Sequence, residues 1–203
     1  MKEIETRTVI KNIDGIRKKL EELNFIYKGK YEQHDIMLDT PNADIFNSRR
    51  KLRIRIENDK VELTYKGKFE NRNDVAKREE LNVNINKEDV EKYIKIFSGI
   101  GYGICFQIKK TRELWKKDNV QVTIDNWPII GNILEIEGIE EEIMVLANKI
   151  APDNEFKNYL LKDLFKEKMC KTGKTMEELK SDYFKETGFD LGKIELILGE
   201  KEN

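Results

Sequence analysis

The sequence has few of the residues that build the commonest metal and redox sites. His34 is the single histidine, which excludes a histidine-rich metal centre. The two cysteines, Cys105 and Cys170, match no zinc or redox spacing. We interpret both as reduced thiols, which favours a cytoplasmic location. A bound metal would therefore be a hard cation held by carboxylates, such as Mg²⁺, Mn²⁺ or Ca²⁺.

Long apolar runs and an excess of one charge are also lacking. No stretch is long and apolar enough to span a bilayer, and residues 1–5 are unlike a signal peptide, so we expect no membrane association. The chain has 38 basic and 39 acidic residues, without the basic excess of a general nucleic-acid binder. Charged residues nevertheless make up 38% of its 203 positions, against roughly a quarter in ordinary domains.

Hydrophobic periodicity predicts about eight mostly antiparallel strands, with helices between them. The predicted strands cover residues 2–10, 31–38, 48–57, 60–68, 77–85, 104–115, 120–125 and 132–138. The predicted helices cover residues 12–23, 87–97, 140–150, 155–169 and 176–184. A closed antiparallel barrel is the simplest way to avoid sheet edges. We therefore predict an α+β barrel domain over residues 1–169, with a helical extension over residues 170–203 packed on it.

The predicted strands separate charged from apolar side chains. On the first strand, Glu3, Glu5 and Arg7 share one face. In an ordinary antiparallel sheet the charged face would meet water and the apolar face would form the core. In the alternative, an inverted barrel, the charges line a wide interior and the apolar faces lie outward beneath the helices.

Several strand faces carry charge of one sign. The pairs are Arg53 with Arg55, Lys66 with Lys68, and Glu135 with Glu137. A solvated face usually intersperses the two signs, so this pattern favours the inverted barrel. Arginine and lysine bind polyanions such as triphosphate, and carboxylates hold metal ions that bridge phosphate oxygens. We expect such an interior to be wet, because buried like charges are costly without ions or water.

The same strands carry seven short motifs in order along the chain. They are Glu3-Ile4-Glu5-Thr6-Arg7, Leu52-Arg53-Ile54-Arg55, Leu63-Thr64-Tyr65-Lys66-Gly67, Arg78-Glu79-Glu80, Lys110-Thr111-Arg112, Ile124-Asp125 and Leu134-Glu135-Ile136-Glu137-Gly138. Together they resemble the CYTH superfamily, the triphosphate tunnel metalloenzymes, over residues 1–165 or so. The resemblance implies an eight-stranded antiparallel tunnel with a charged interior, which binds triphosphate compounds with Mg²⁺ or Mn²⁺.

The resemblance also implies roles for individual residues. The implied metal ligands are Glu3, Glu5, Glu135 and Glu137, with Asp125 and Glu80 as further candidates. The implied phosphate-binding residues are Arg53, Arg55, Lys66, Lys68, Arg78, Lys110 and Arg112. Glu3, Glu5 and Arg7 are the candidate catalytic residues. Arg7 stands where the family signature has lysine, and a guanidinium that cannot deprotonate is unsuited to act as a general base.

Family members include class IV adenylyl cyclases and several kinds of triphosphatase. Because no residue here identifies an adenine pocket, we favour hydrolysis of inorganic triphosphate or a nucleoside triphosphate. Two alternatives stay open: conversion of ATP to cyclic AMP and pyrophosphate, and non-catalytic binding of polyphosphate or a triphosphate compound. The expected ligands are tripolyphosphate, ATP or thiamine triphosphate. Two-fold dimers are common enough that we also expect a homodimer.

One variant is suggested by the sequence itself. We expect Glu5→Gln to remove activity while leaving the fold intact or more stable, because the change would relieve repulsion between carboxylates in the ligand-free site.

Overall fold

The computed structural model describes residues 2–68, 70–72, 75–157 and 161–198. Within these residues the antiparallel strands are β1 (Lys2–Ile10), β2 (Ile26–Asp39), β3 (Lys51–Glu57), β4 (Lys60–Lys66), β5 (Glu70–Arg72), β6 (Val75–Ile85), β7 (Gly103–Lys117), β8 (Val120–Trp127) and β9 (Gly131–Glu137). Eight of them follow the order β1-β9-β8-β7-β2-β3-β4-β6, and β6 pairs with β1 to close the ring. The short β5 pairs with β6. The predicted eight-stranded antiparallel barrel is confirmed.

Helices lie between and after the strands. They are α1 (Ile13–Glu22), α2 (Asp44–Asn47), α3 (Val90–Gly99), α4 (Glu140–Ile150), α5 (Leu161–Thr172), α6 (Met176–Thr187) and α7 (Glu195–Leu198). Asn12 caps α1, because its side-chain oxygen accepts the Gly15 N–H at 2.9 Å. Thr175 and Glu178 form a capping box at the start of α6. Among the described helices, none is long and apolar enough to cross a membrane.

The apolar faces of the strands point away from the barrel axis and lie beneath the helices. Strand residues Val122, Leu134 and Ile136 are fully buried in one cluster with Leu20 of α1 and Ile143 of α4. A second cluster joins residues of β2, β3 and β4 to Val90 at the start of α3. The helices supply the apolar cover that these outer faces need, so the barrel interior is left to the charged faces. The inverted barrel is therefore the arrangement that forms.

Residues after the barrel pack on β2 and β7. A third cluster contains Phe106 of β7 together with Leu179 and Tyr183 of α6. The Lys109 backbone N–H donates to the Tyr183 hydroxyl at 2.6 Å. The chain passes so close to β7 at Gly192 (φ +78°) that an added Cβ would lie 2.7 Å from the Cys105 carbonyl oxygen, so glycine is required there. The domain boundary at residue 169 stays a prediction, and α5 runs across it.

The predicted helix over residues 155–169 is wrong at its start. Residues 158–160 lie outside the described residues, and α5 begins at Leu161. Pairing of β1 with β6 ends at Glu5. The Arg7 carbonyl beyond that point accepts the Lys157 N–H at 2.9 Å, and the Thr8 hydroxyl donates to the Glu155 carbonyl at 2.8 Å. An unpaired stretch of strand edge therefore extends this segment instead of letting it coil.

We expect Tyr183→Phe to lower the free energy of unfolding by about 1–3 kcal/mol, because the Lys109 N–H would lose its acceptor in a buried place. Chemical denaturation measures the change. Phe184→Leu is the matched control, since the Phe184 side chain is 57% exposed and should contribute little. Equal stability of Tyr183→Phe and the unchanged protein would show that α6 is not docked through this bond.

Candidate active site

The inward faces of the strands enclose a cavity of about 870 Å³, which we call the tunnel. Its charged lining residues are Glu3, Glu5, Arg7, Asp35, Arg49, Arg50, Lys51, Arg53, Arg55, Glu62, Lys66, Arg78, Glu80, Lys110, Arg112, Glu135, Glu137 and Lys162. Met37, Phe46, Ile108 and Trp127 also contribute to the wall. The structure thus brings together most of the residues that the strand pattern and the family resemblance singled out.

Two predicted site residues do not line the tunnel. Lys68 follows the end of β4 and is exposed to solvent, because the β4 alternation does not continue past Lys66. Asp125 is buried behind two lining cations, Lys110 and Arg112. The structure therefore does not bring Lys68 to the cavity, and it gives Asp125 the position of a counter-ion beneath the wall.

Carboxylates of β1 are held by cations of the neighbouring strands. Glu3 accepts from the Lys66 ammonium and, at 2.7 Å, from the Arg78 Nε. Glu5 accepts from Arg7 and, at 3.2 Å, from the Arg78 Nη2. Lys66 also lies 2.9 Å from Glu80. This network is possible because β1 and β6 place Glu3 directly opposite Arg78.

Strands β9, β8 and β7, which follow β1 in the order of the barrel, build a second network. Arg112 donates to both oxygens of Asp125 at 2.7 Å, and Lys110 donates to the same carboxylate. Glu135 lies 3.1 Å from Arg7 and 3.4 Å from Arg112, so it joins the two networks. The bidentate arginine geometry is the one that also suits a phosphate group.

Asp35 is a charged site residue that sequence reasoning did not select. It lies inside the tunnel on β2, where it accepts from Arg55 at 2.7 and 2.8 Å and lies 3.6 Å from Arg53. Burial alone would raise the pKa of Asp35, but Arg55 and Arg53 outweigh it and hold that pKa well below its usual range. Gln33 and Asp35 alternate with His34 on β2, and this alternation was the sequence signal that could have placed Asp35 on an inward face.

Lys51 is the second residue that was not selected. It lines the tunnel on β3, two residues before Arg53. Burial, together with Arg78, Arg53 and Lys66, lowers the pKa of the Lys51 ammonium well below its usual range. His34, the single histidine of the sequence, bonds to Gln107 at 3.0 Å and lies against Phe189.

In contrast to Glu3, Glu5 and Glu135, Glu137 has no cation bound to it among the described residues. Its carboxylate accepts from the Gln121 side chain at 3.2 Å. Burial raises the pKa of Glu137, and the nearby charges of Glu3, Glu135 and Glu5 raise it further, to about 7. Excess negative charge therefore collects where the four carboxylates of β1 and β9 face one another.

These four carboxylates suit a hard divalent cation, which prefers oxygen ligands. No three acidic, histidine or cysteine side chains in the described parts of the chain already lie in metal-ligand geometry. Glu3, Glu5 and Glu135 are instead occupied by arginine and lysine. A cation could be held once an anionic ligand draws those basic groups away, so the donor set fits such a metal in the presence of a polyanion.

Several buried donors in the tunnel wall have no hydrogen-bond acceptor among the described residues. They are the Arg7 Nε, the Arg53 Nε and the Trp127 Nε1. The Lys110 ammonium lies 4.9 Å from the centre of the Trp127 ring, over its face. Buried donors without acceptors are costly, which indicates that water or a ligand with many acceptor oxygens completes the site.

Comparison with known proteins agrees with this architecture. A family model described as the CYTH domain matches residues 1–163. The chain belongs to the CYTH family. A Methanocaldococcus jannaschii protein named "Putative adenylate cyclase MJ0240" is 33% identical over 138 residues, which cover 68% of this chain and 77% of that protein.

Solved CYTH-like structures superimpose on the same barrel. The PH1819 protein of Pyrococcus horikoshii is 29% identical, with a TM-score of 0.65 over 82% of this chain and 99% of that one. An adenylyl cyclase candidate from Hippeastrum, described as having a dominant triphosphatase activity, is 17% identical, with a TM-score of 0.64 over 86% of this chain and 97% of that one. At that identity the likeness concerns the fold alone.

The raised pKa of Glu137 makes the stability of this CYTH protein depend on pH. Between the ordinary value of 4.5 and about 7, the folded state holds a proton that the unfolded chain has released, so stability falls as pH rises through this window. We expect Glu137→Gln to be more stable than the unchanged protein by about 1–2 kcal/mol near pH 8, and nearly equal to it near pH 5. Chemical denaturation at the two pH values measures this.

Glu5→Gln is the matched control for this experiment, and the structure revises what we expect of it. Glu5 lies between Arg7 and Arg78, so loss of its charge would leave two cations less well compensated. We now expect Glu5→Gln to lower stability at both pH values. A gain in stability at Glu5, or a Glu137→Gln effect that is independent of pH, would contradict this electrostatic account.

Asp35→Asn tests whether the tunnel cations depend on their internal counter-ions. Arg53 and Arg55 would lose their shared carboxylate, and we expect the free energy of unfolding to fall by about 2–4 kcal/mol. Tripolyphosphate should then raise the melting temperature of Asp35→Asn more than that of the unchanged protein. Asp14→Asn, whose exposed carboxylate meets Arg17 on α1, is the control. Equal responses to tripolyphosphate would contradict anion compensation.

Proposed function

We propose that this chain is a metal-dependent enzyme that hydrolyses inorganic triphosphate or a nucleoside triphosphate inside the tunnel. One observation carries the proposal: basic and acidic side chains line a single cavity and neutralise one another in pairs. A triphosphate and divalent cations offer each half of these pairs a new partner. The charges of the ligand-free network are therefore balanced, and each charged side chain can exchange its present partner for a phosphate oxygen or a metal ion.

The basic side chains are placed to bind the phosphate chain. Arg55 and Arg112 already make bidentate contacts to carboxylates, and a phosphate can accept the same fork of N–H groups. Lys110 is buried, and burial with the neighbouring Arg112 lowers its pKa to about 8. Its ammonium therefore stays mainly protonated at neutral pH, so it can hold a phosphate oxygen.

The carboxylates of β1 and β9 would hold the metal. Glu3, Glu5, Glu135 and Glu137 are the proposed ligands, and Glu80 is a further candidate beside Lys66. When bound, Mg²⁺ or Mn²⁺ would neutralise phosphate oxygens and favour attack by water at phosphorus. Arg7 lies between Glu5 and Glu135, where its fixed charge can stabilise negative charge that develops on the phosphoryl group.

Formation of cyclic AMP is the second candidate function. It is favoured by the name of the Methanocaldococcus jannaschii relative and by two aromatic side chains of the tunnel wall, Phe46 and Trp127, on which a base could stack. The Hippeastrum protein, called an adenylyl cyclase candidate but described with a dominant triphosphatase activity, shows that both names occur on this fold.

Free Cys105 and Cys170 suit the reducing cytoplasm, which is the location we propose.

The decisive experiment separates the substrates and the products. Purified protein is given tripolyphosphate, ATP or thiamine triphosphate, each with Mg²⁺ or Mn²⁺, and phosphate, pyrophosphate and cyclic AMP are resolved. We expect phosphate release that stops when the metal is chelated. Cyclic AMP with pyrophosphate from ATP would replace the hydrolase with the cyclase. Tight binding without turnover would leave a triphosphate-binding protein.

Two neighbouring lysines provide an internal control for that assay. We expect Lys66→Met to lower kcat/KM by about 100-fold or more, because Lys66 faces the tunnel between Glu3 and Glu80. Lys68→Met removes the same charge from the exposed residue just beyond β4 and should change kcat/KM by less than about twofold. Equal losses in both variants would show that overall charge, not the tunnel wall, governs activity.

A further inference from the structure

Lys51 stands at the end of a row of cations on β3. Arg55, Arg53 and Lys51 occupy alternate positions of this strand and all line the tunnel. Alternate residues of a strand lie about 6.5 Å apart, so the row extends over about 13 Å. Neighbouring phosphoryl groups of one chain lie closer together than alternate residues of a strand, so these long side chains must converge to contact one phosphate chain.

The first two members of the row differ from the third in their counter-ions. Arg55 and Arg53 share the carboxylate of Asp35. Lys51 has neither an ion pair nor a hydrogen bond to any residue that the structure describes. The other tunnel cations that we propose to bind phosphate also contact carboxylates: Lys66, Arg78, Lys110 and Arg112.

The groups that surround Lys51 carry its own sign of charge. Lys66 lies directly opposite it on β4. The other strong influences on its ammonium are Arg78 of β6, Arg53 of β3 itself and Arg7 of β1. Like charges directly opposite each other in a sheet are destabilising, and the half-buried Lys51 ammonium has no partner to offset its partial loss of solvent. An anion bound beside the Lys51 ammonium would offset both effects and keep the ammonium charged.

We propose that Lys51 binds the terminal phosphoryl group of the substrate and makes the tunnel select a chain of three phosphoryl groups over a chain of two. This inference deepens the proposed function, since it assumes that the tunnel takes a phosphate chain. A diphosphate can occupy the part of the row formed by Arg55 and Arg53. A triphosphate reaches Lys51 as well, where its terminal group, with about two negative charges at neutral pH, meets the one cation of the row that has no carboxylate partner among the described residues.

The test compares binding of tripolyphosphate and pyrophosphate to metal-free protein by titration calorimetry, so that no turnover interferes. We expect the unchanged protein to bind tripolyphosphate more tightly than pyrophosphate. Lys51→Met should weaken tripolyphosphate binding by about 10-fold and pyrophosphate binding by less than about twofold. Lys51→Arg should restore the preference, because arginine returns the charge and a donor to the same place.

Lys60→Met is the matched control, since Lys60 is an exposed lysine on the adjoining strand and should alter neither affinity. Lys51→Met should melt at the same temperature as the unchanged protein or higher, because the change removes a repelled cation. Lys51→Gln serves if the methionine variant does not fold. Equal weakening of both ligands, or no weakening of either, would overturn the proposal.

The outcomes also separate this inference from the proposed function. If the unchanged protein binds tripolyphosphate but does not hydrolyse it with Mg²⁺ or Mn²⁺, the enzyme proposal fails and the affinity ratio still decides the role of Lys51. If hydrolysis occurs but Lys51→Met keeps the full preference for tripolyphosphate, the role of Lys51 fails alone. Absence of any tripolyphosphate binding would reject both.

Discussion

Mutual compensation of charge inside the barrel is the interaction on which the rest of this structure depends. Buried arginines and lysines are tolerable only because carboxylates from neighbouring strands lie within 2.7–3.6 Å of them, as Asp35 does for Arg53 and Arg55. This compensation allows the strands to turn their charged faces inward. The apolar faces then need cover from outside, and α1, α3 and α4 supply it. Interior electrostatics and exterior packing are therefore two results of one choice of strand orientation.

The same compensation explains how a stable protein can keep a reactive interior. Paired charges have a moderate cost while the tunnel holds only water, and each pair can open when a ligand offers better partners. Glu137 and Lys51 depart from this balance, because neither has an oppositely charged partner among the described residues, and nearby like charges shift the pKa of each toward its neutral form. A ligand that combines metal ions with a polyanion would relieve both.

Much of the barrel could be predicted because strand alternation is a local property. Strands such as β1 and β9 carry charged residues at every second position, and the single sign of faces such as that of Arg53 and Arg55 indicated an interior of use to a polyanion. The predictions of secondary structure were wrong where the local pattern carries no information about which segments lie next to one another in the fold. The segment after α4 had helical composition, but the free backbone of β1 near Arg7 holds Lys157 extended. Lys68 continued the alternation of β4 in the sequence, although the strand itself ends at Lys66.

The alternation of residues along the chain already determined which side chains share a strand face. Glu3 shares one with Glu5, and Arg53 shares one with Arg55. Only the closed sheet decided which face turned inward and which charges met, because those outcomes depend on the order and register of strands far apart in sequence. Register between the distant strands β1 and β6 places Glu3 opposite Arg78 and so neutralises that cation. Within single hairpins the register places Lys51 opposite Lys66 and Asp125 opposite Arg112, and the closed barrel then decides that Lys51 and Arg112 line the cavity while Asp125 does not. Coulomb energy falls with distance, and distances between strands exist only in the folded barrel.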